Sequence, residues 1–291
     1  MTFKPDPRLF PFRSRWLTLS DGARLHYVDE GDGPVLLLLH GNPSWSFLYR
    51  KIIAGLRGAF RCVAPDLPGF GLSAAGPGFG FTAREQAGAI IELFDRLDLR
   101  GAAVMMQDWG GPIGLWAAQR RLDKIDRLIL GNTWGWPFDR WGPRLFSALM
   151  GGWPGRFGAV ACNAIVRFFF AAGVVNRLPP EILRMYLGPF EDRSTRRPTH
   201  IFPDQLTSAG SFLREVELGL PILRKKPALI LWGDQDFAFG EHERTRFRAC
   251  FPNHRDITLQ GAGHFIQEDA PDAICDAIAS WIPVMSATAR A

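Results

Sequence analysis

Gln107-Asp108-Trp109-Gly110-Gly111 is the segment whose residue types most directly imply chemistry. Asp108 follows an apolar run, residues 102–106, that reads as a buried strand, and it precedes residues 112–121, which can be helical. A strand, a sharp turn and a helix with one reactive side chain at the tip describe a nucleophile elbow above a parallel sheet. A carboxylate at that tip shifts the chemistry away from esters and amides. It can displace a leaving group from a saturated carbon, giving an alkyl ester that water must later hydrolyse.

Three further segments fall at the C-terminal ends of expected strands, where an open parallel sheet gathers its ligands. His40-Gly41-Asn42-Pro43 follows the apolar run 35–39. Gly41 permits a tight turn, so the backbone N–H groups of Asn42 and Trp109 could together form an oxyanion hole. Gly233-Asp234-Gln235-Asp236 follows residues 228–232 and supplies an acid; the Gly-x-x-Asp spacing favours Asp236 over Asp234, which reads as a turn residue. Gly261-Ala262-Gly263-His264 follows residues 255–259 and supplies an imidazole. His264 could take a proton from water while Asp236 orients the ring and stabilises the imidazolium. The indole N–H of Trp109 and the side-chain amide of Asn42 flank Asp108 and could hold a leaving halide, a diffuse anion that needs donors in a dry pocket. His40 reads as structural, bonding within its own loop.

The elements that must position these groups alternate. Residues 13–19 and 24–30 flank Asp21-Gly22, a hairpin signal. Strands are expected at 35–39, 60–64, 102–106, 125–130, 228–232 and 255–259, with helices at 83–97, 112–121 and 271–281. That order argues for a mostly parallel sheet covered on both faces. Residues 134–220 interrupt it with aromatic-rich helical pieces such as 156–172, broken by Pro179-Pro180, Pro189, Pro198 and Pro203, and no strand pattern. They read as a helical cap inserted between core segments 1–133 and 221–291, with a frayed tail after Ile282. Phe146, Leu149, Phe168, Phe169 and Leu183 are expected to help line its pocket.

The 291 residues are 47% hydrophobic and 22% charged, enough for a full-sized core, and the net charge of +5 is scattered rather than blocked. A nucleic-acid partner is therefore not expected. Cys62, Cys162, Cys250 and Cys275 lie far apart and read as reduced and buried. Residues 1–15 lack an apolar signal core, and no run approaches the roughly 18 apolar residues of a membrane helix. A cytoplasmic enzyme without a membrane partner is the expectation.

Several motifs together resemble one family. They are the run from His40 to Arg50, Asp66 with Gly69-Phe70-Gly71, the segment Gln107 to Pro112, Asn132-Thr133-Trp134, the run 186–198, and Gly263-His264-Phe265-Ile266-Gln267-Glu268-Asp269. Along nearly the whole chain they resemble the haloalkane dehalogenases of the alpha/beta-hydrolase superfamily. His-Gly-Asn-Pro combined with Gln-Asp-Trp-Gly-Gly is the specific part, since related epoxide hydrolases share the Asp-Trp-Gly core. The resemblance implies an α/β fold, the alpha/beta-hydrolase fold, with an inserted helical cap. It implies hydrolysis of a small halogenated alkane to an alcohol, a halide ion and a proton, without metal or organic cofactor, and a tendency to self-associate. Some subfamilies place a glutamate after the strand that here ends near Leu130; this chain has Asn132 there, which leaves the acid to Asp236. With Asn42 as halide donor, the set Asp108, Asp236, His264, Asn42 and Trp109 resembles the third subfamily. The alternative takes the second donor from a cap tryptophan among Trp134, Trp136, Trp141 and Trp153. Met106, two residues before Asp108, departs from the small residue usual at that point of the elbow. An epoxide hydrolase would use the same Asp108, Asp236 and His264 but needs cap tyrosines, and of Tyr27, Tyr49 and Tyr186 only Tyr186 falls in the cap segment.

Overall fold

The computed structural model describes residues 3–283. Eight strands, β1 Ser14–Thr18, β2 Arg24–Glu30, β3 Val35–Leu39, β4 Arg61–Pro65, β5 Ala102–Asp108, β6 Ile125–Thr133, β7 Ala228–Gly233 and β8 His254–Leu259, form one sheet in the order β1-β2-β4-β3-β5-β6-β7-β8. β1 pairs antiparallel with β2 and β2 with β4, and every other pairing is parallel. The hairpin signal holds: Gly22 takes a φ of +83° between β1 and β2. The central strands are apolar without alternation, as in Val-Leu-Leu-Leu-Leu of β3 and Ala-Leu-Ile-Leu-Trp of β7, because helices bury both faces.

The helices are α1 Arg50–Leu56, α2 Ala83–Arg96, α3 Gly110–Arg120, α4 Trp141–Gly151, α5 Trp153–Cys162, α6 Ala164–Ala172, α7 Pro180–Leu187, α8 Arg197–Ser208, α9 Gly210–Leu223, α10 Glu241–Cys250, α11 Ile266–Asp269 and α12 Pro271–Trp281. α2 starts where Thr82-x-x-Glu85 says it should. Thr82 Oγ1 accepts from the Glu85 N–H at 3.2 Å while Glu85 Oε2 accepts from the Thr82 N–H at 2.8 Å.

Between β6 and β7 the regular elements are all helices, α4 to α9 with short 3-10 turns. Two sequence expectations change here. The helix expected at 156–172 is two helices bent by 95°, because Asn163 takes a left-handed φ of +54° between α5 and α6. The expected boundary at 220 falls inside α9, whose Val216 carbonyl accepts from the Gln119 side chain of α3 at 2.8 Å, so this helix is anchored to the sheet layer. Cys162, at the end of α5, is exposed where a buried thiol was expected. The tail after Ile282 lies, from residue 284, outside the described residues.

A buried ion pair joins the insertion to the core. Arg50 Nη2 donates to Glu268 Oε2 at 2.8 Å, and Tyr186 of α7 donates its hydroxyl proton to the same carboxylate. Burial alone would raise the Glu268 pKa, but the Arg50 and Tyr186 contacts outweigh it and hold the carboxyl below its ordinary value.

Candidate active site

Asp108 sits at the tip between β5 and α3 with φ +49°, a strained conformation for a residue other than glycine. The turn is held by what surrounds it. Thr133 Oγ1 donates to the Asp108 carbonyl at 2.6 Å. A Cβ at Gly110 would stand 2.3 Å from the Leu39 carbonyl oxygen, and one at Gly111 only 1.7 Å from Thr133 Oγ1, so neither position admits a side chain. Met106 is accommodated by Gly114, where a Cβ would come 2.6 Å from the methionine sulfur.

The Asp108 carboxylate faces the turn after β3. Its Oδ1 accepts from the Asn42 backbone N–H at 2.7 Å, and the neighbouring Trp109 backbone N–H also favours the charged carboxylate. A Cβ at Gly41 would lie 2.2 Å from Oδ1, which is why glycine stands there. Burial raises the Asp108 pKa above its ordinary value against the opposing pull of His264 and the two N–H groups.

His264 Nε2 lies 3.7 Å from Asp108 Oδ2, and its Nδ1 lies 3.1 Å from Asp236 Oδ1. Burial works to lower the imidazole's pKa, but the charges of Asp236 and Asp108 overcome it, and the net shift is upward. The ring is enclosed by Phe237, Phe239 and Phe265, with centroids 5.6, 5.7 and 5.0 Å away. Asp234, the competing acid, instead accepts from the Gly261 N–H at 2.8 Å and ties two strand-end loops together. His40 is turned away from this cluster: Nδ1 donates to the Gly41 carbonyl at 2.9 Å and Nε2 accepts from the Leu67 N–H at 2.9 Å.

A cavity of about 310 Å³ opens above Asp108, lined by Asn42, Asp108, Trp109 and side chains of the helical insertion. Of the five aromatic and aliphatic residues expected there, Phe146 and Phe169 line it. Leu149 and Phe168 point to solvent from the outer faces of α4 and α6, and Leu183 packs against the core instead. Phe138, Pro203, Phe237 and Phe239 complete the apolar wall. The Trp109 indole is fixed edge-on by Trp134 and Phe202, with centroids 4.8 and 5.1 Å away. None of Trp134, Trp136, Trp141 and Trp153 lines the cavity: the first two are buried in aromatic clusters and the last two are exposed. One Asn42 side-chain N–H donates to the Thr199 carbonyl at 3.3 Å, leaving the amide a second N–H.

Two residues escaped the sequence reading. The Gln107 side-chain nitrogen lies 3.0 Å from His264 Nε2 and also donates to the His264 carbonyl at 3.2 Å. Asn132, which in sequence only lacked an acid, takes φ +41° and joins three loops. Its amide donates to the Gly263 carbonyl at 2.8 Å and its oxygen accepts from the Gly233 N–H at 3.0 Å. A polar residue at the C-terminal end of an apolar strand was the only signal available for either.

Comparison with known proteins agrees with this architecture. Residues 34–271 match the family model described as alpha/beta hydrolase fold. Haloalkane dehalogenase 2 of Mycobacterium tuberculosis is 44% identical over 278 residues, covering 95% of this chain and 97% of the relative. A cis-3-alkyl-4-alkyloxetan-2-one decarboxylase of Xanthomonas campestris is 30% identical over 94% of this chain and 97% of its own. Among solved structures, haloalkane dehalogenase DbeA from Bradyrhizobium elkani superposes with a TM-score of 0.84 at 26% identity, covering 93% of this chain and 96% of that one. The chain belongs to the alpha/beta-hydrolase family and, within it, to the haloalkane dehalogenases.

Proposed function

We propose that this enzyme hydrolyses haloalkanes through an alkyl ester on Asp108, with the inserted residues 134–220 acting as the cap. The observation that carries the reading is a buried carboxylate at a strained turn, its Oδ2 3.7 Å from an imidazole nitrogen, under an apolar cavity. Oδ1 is engaged by the Asn42 N–H, so Oδ2 is the freer nucleophile. Oδ2 attacks the carbon bearing the halogen, and the carbon–halogen bond breaks with its electron pair leaving on the halide. The Trp109 indole N–H and the remaining Asn42 N–H receive that anion. His264 then takes a proton from water, whose oxygen adds to the carboxyl carbon. The oxyanion forms at Oδ1, to which the Asn42 backbone N–H already donates, with the adjacent Trp109 backbone N–H as the second donor of the hole. Collapse expels the alcohol and restores the carboxylate, while Asp236 holds the imidazolium until its proton leaves.

Epoxide opening would need an acid over the cavity, and Tyr186 instead spends its hydroxyl on Glu268. The decarboxylase relative makes an oxetan-2-one the useful competing substrate. The test is bromide release from a panel of bromoalkanes, with an aryl epoxide and a cis-3,4-dialkyl oxetan-2-one run beside it. His264→Phe should accumulate the alkyl-enzyme, seen as a mass increase equal to the alkyl group. Turnover by wild type with no adduct on the variant would refute the covalent route, and lactone turnover without bromide release would reassign the substrate.

A further inference from the structure

Helix α4 has two apolar faces. Gly142, Pro143 and Phe146 turn inward and line the cavity, while Trp141, Leu145 and Leu149 recur every fourth residue on the outside. Trp141 is 78% exposed. α5, which packs against α4, exposes Trp153, 79%, and Phe157, 64%, their rings stacked with centroids 6.2 Å apart. Large aromatic side chains at such exposure are unusual unless something covers them.

Charge identifies the cover. From Trp141 to Ala172 the chain has no Asp, Glu or Lys and three exposed arginines, Arg144, Arg156 and Arg167. Among the described residues none of the three pairs with a carboxylate; Arg167 donates to the Cys162 carbonyl at 3.3 Å. Asp204, on the neighbouring α8, accepts from Ser208 of its own helix. A second copy docked symmetrically through this face would set arginines against arginines with no acid from these helices to answer them. Exposed Trp and Phe interspersed with Arg suit instead the boundary of a lipid layer, where indole rings sit at headgroup level and cations meet anionic phosphates.

We propose that the outer face of α4 and α5 docks on an anionic lipid surface. The expectation of no membrane partner came from the lack of a spanning run, and surface docking requires none: among the described residues no single helix is long and apolar enough to cross a bilayer. Docking would bring the helix that walls the cavity against the phase in which long haloalkanes concentrate.

The test is co-sedimentation of the full chain with vesicles of mixed phosphatidylglycerol and phosphatidylcholine, beside vesicles of phosphatidylcholine alone. The wild type should partition onto the anionic vesicles and be released by salt. Arg144→Gln with Arg156→Gln, and separately Trp153→Ser with Phe157→Ser, should each weaken partitioning about tenfold or more. Both double variants should keep wild-type turnover of a short, water-soluble bromoalkane, which shows that they are folded. Absence of wild-type sedimentation, equal binding to the neutral vesicles, or binding untouched by either double variant would overturn the proposal. So would a wild-type dimer in size-exclusion chromatography that Trp153→Ser with Phe157→Ser dissociates, which would assign the face to a second copy.

Discussion

At Asp108 the backbone is strained so that the side chain can be exposed to the cavity, and the surrounding groups then tune its neighbours. His264 must be neutral to accept a proton from water, and its pKa is raised, so turnover should fall on the acid side through a limb above the ordinary histidine value of about 6.5. The Gln107 N–H, 3.0 Å from Nε2, donates to the lone pair that protonation would consume and so opposes the imidazolium. Gln107→Leu should move that limb upward by about half to one pH unit, since a hydrogen bond contributes about 0.5–1.5 kcal/mol. A pH profile of kcat checks it, and a limb left in place would mean that Gln107 only fills space. Asn42→Ala should weaken bromide binding about tenfold or more, the order expected for losing a donor to an anion, with fluorescence quenching of Trp109 as the readout.

At the scale of elements, the strand-end loops have to be held in register, and Asn132 does this for the loops after β6, β7 and β8. Asn132→Leu removes its bonds to Gly263 and Gly233 and leaves those backbone groups unpaired, for an expected loss of about 2–4 kcal/mol in urea unfolding and a lower kcat with KM less affected. The strands were legible because a two-faced burial leaves unbroken apolar runs, and α2 was legible because its capping residues lie three positions apart. Asp108, Asp236 and His264 were recognisable because each stands at, or within five residues of, the C-terminal end of a strand. Gln107 was not, since its partner lies 157 residues away, and neither was the bend at Asn163, which depends on how α5 and α6 pack. Which side chains of the helical insertion face inward was half legible: Phe146 and Phe169 do, but with both faces of α4 apolar the hydrophobic pattern could not tell inside from outside.

For the whole molecule, the buried Arg50–Glu268–Tyr186 group binds the insertion to the core. Arg50→Met removes the buried partner of Glu268 and leaves it only Tyr186 and, at 3.2 Å, the half-exposed Lys51, with an expected loss toward the lower end of about 3–5 kcal/mol in urea unfolding, whereas Tyr186→Phe should lose less. Because the Glu268 pKa is lowered on folding, its stabilisation is complete above the unfolded value of about 4.3 and is lost as pH falls through the folded value. Thermal melting should therefore decline below about pH 4 in wild type and less steeply in Glu268→Gln. Sheet order has a further effect during synthesis. β6, with Leu128, Ile129 and Leu130 buried in the finished sheet, gains its second neighbour only when β7 has been made, after residues 134–227. At a usual elongation rate of about 5–20 residues per second, the nascent chain carries that apolar edge unpaired for roughly 5 to 20 s. Ribosome-bound intermediates stalled in the insertion should thus be the form most dependent on chaperones and most prone to aggregate.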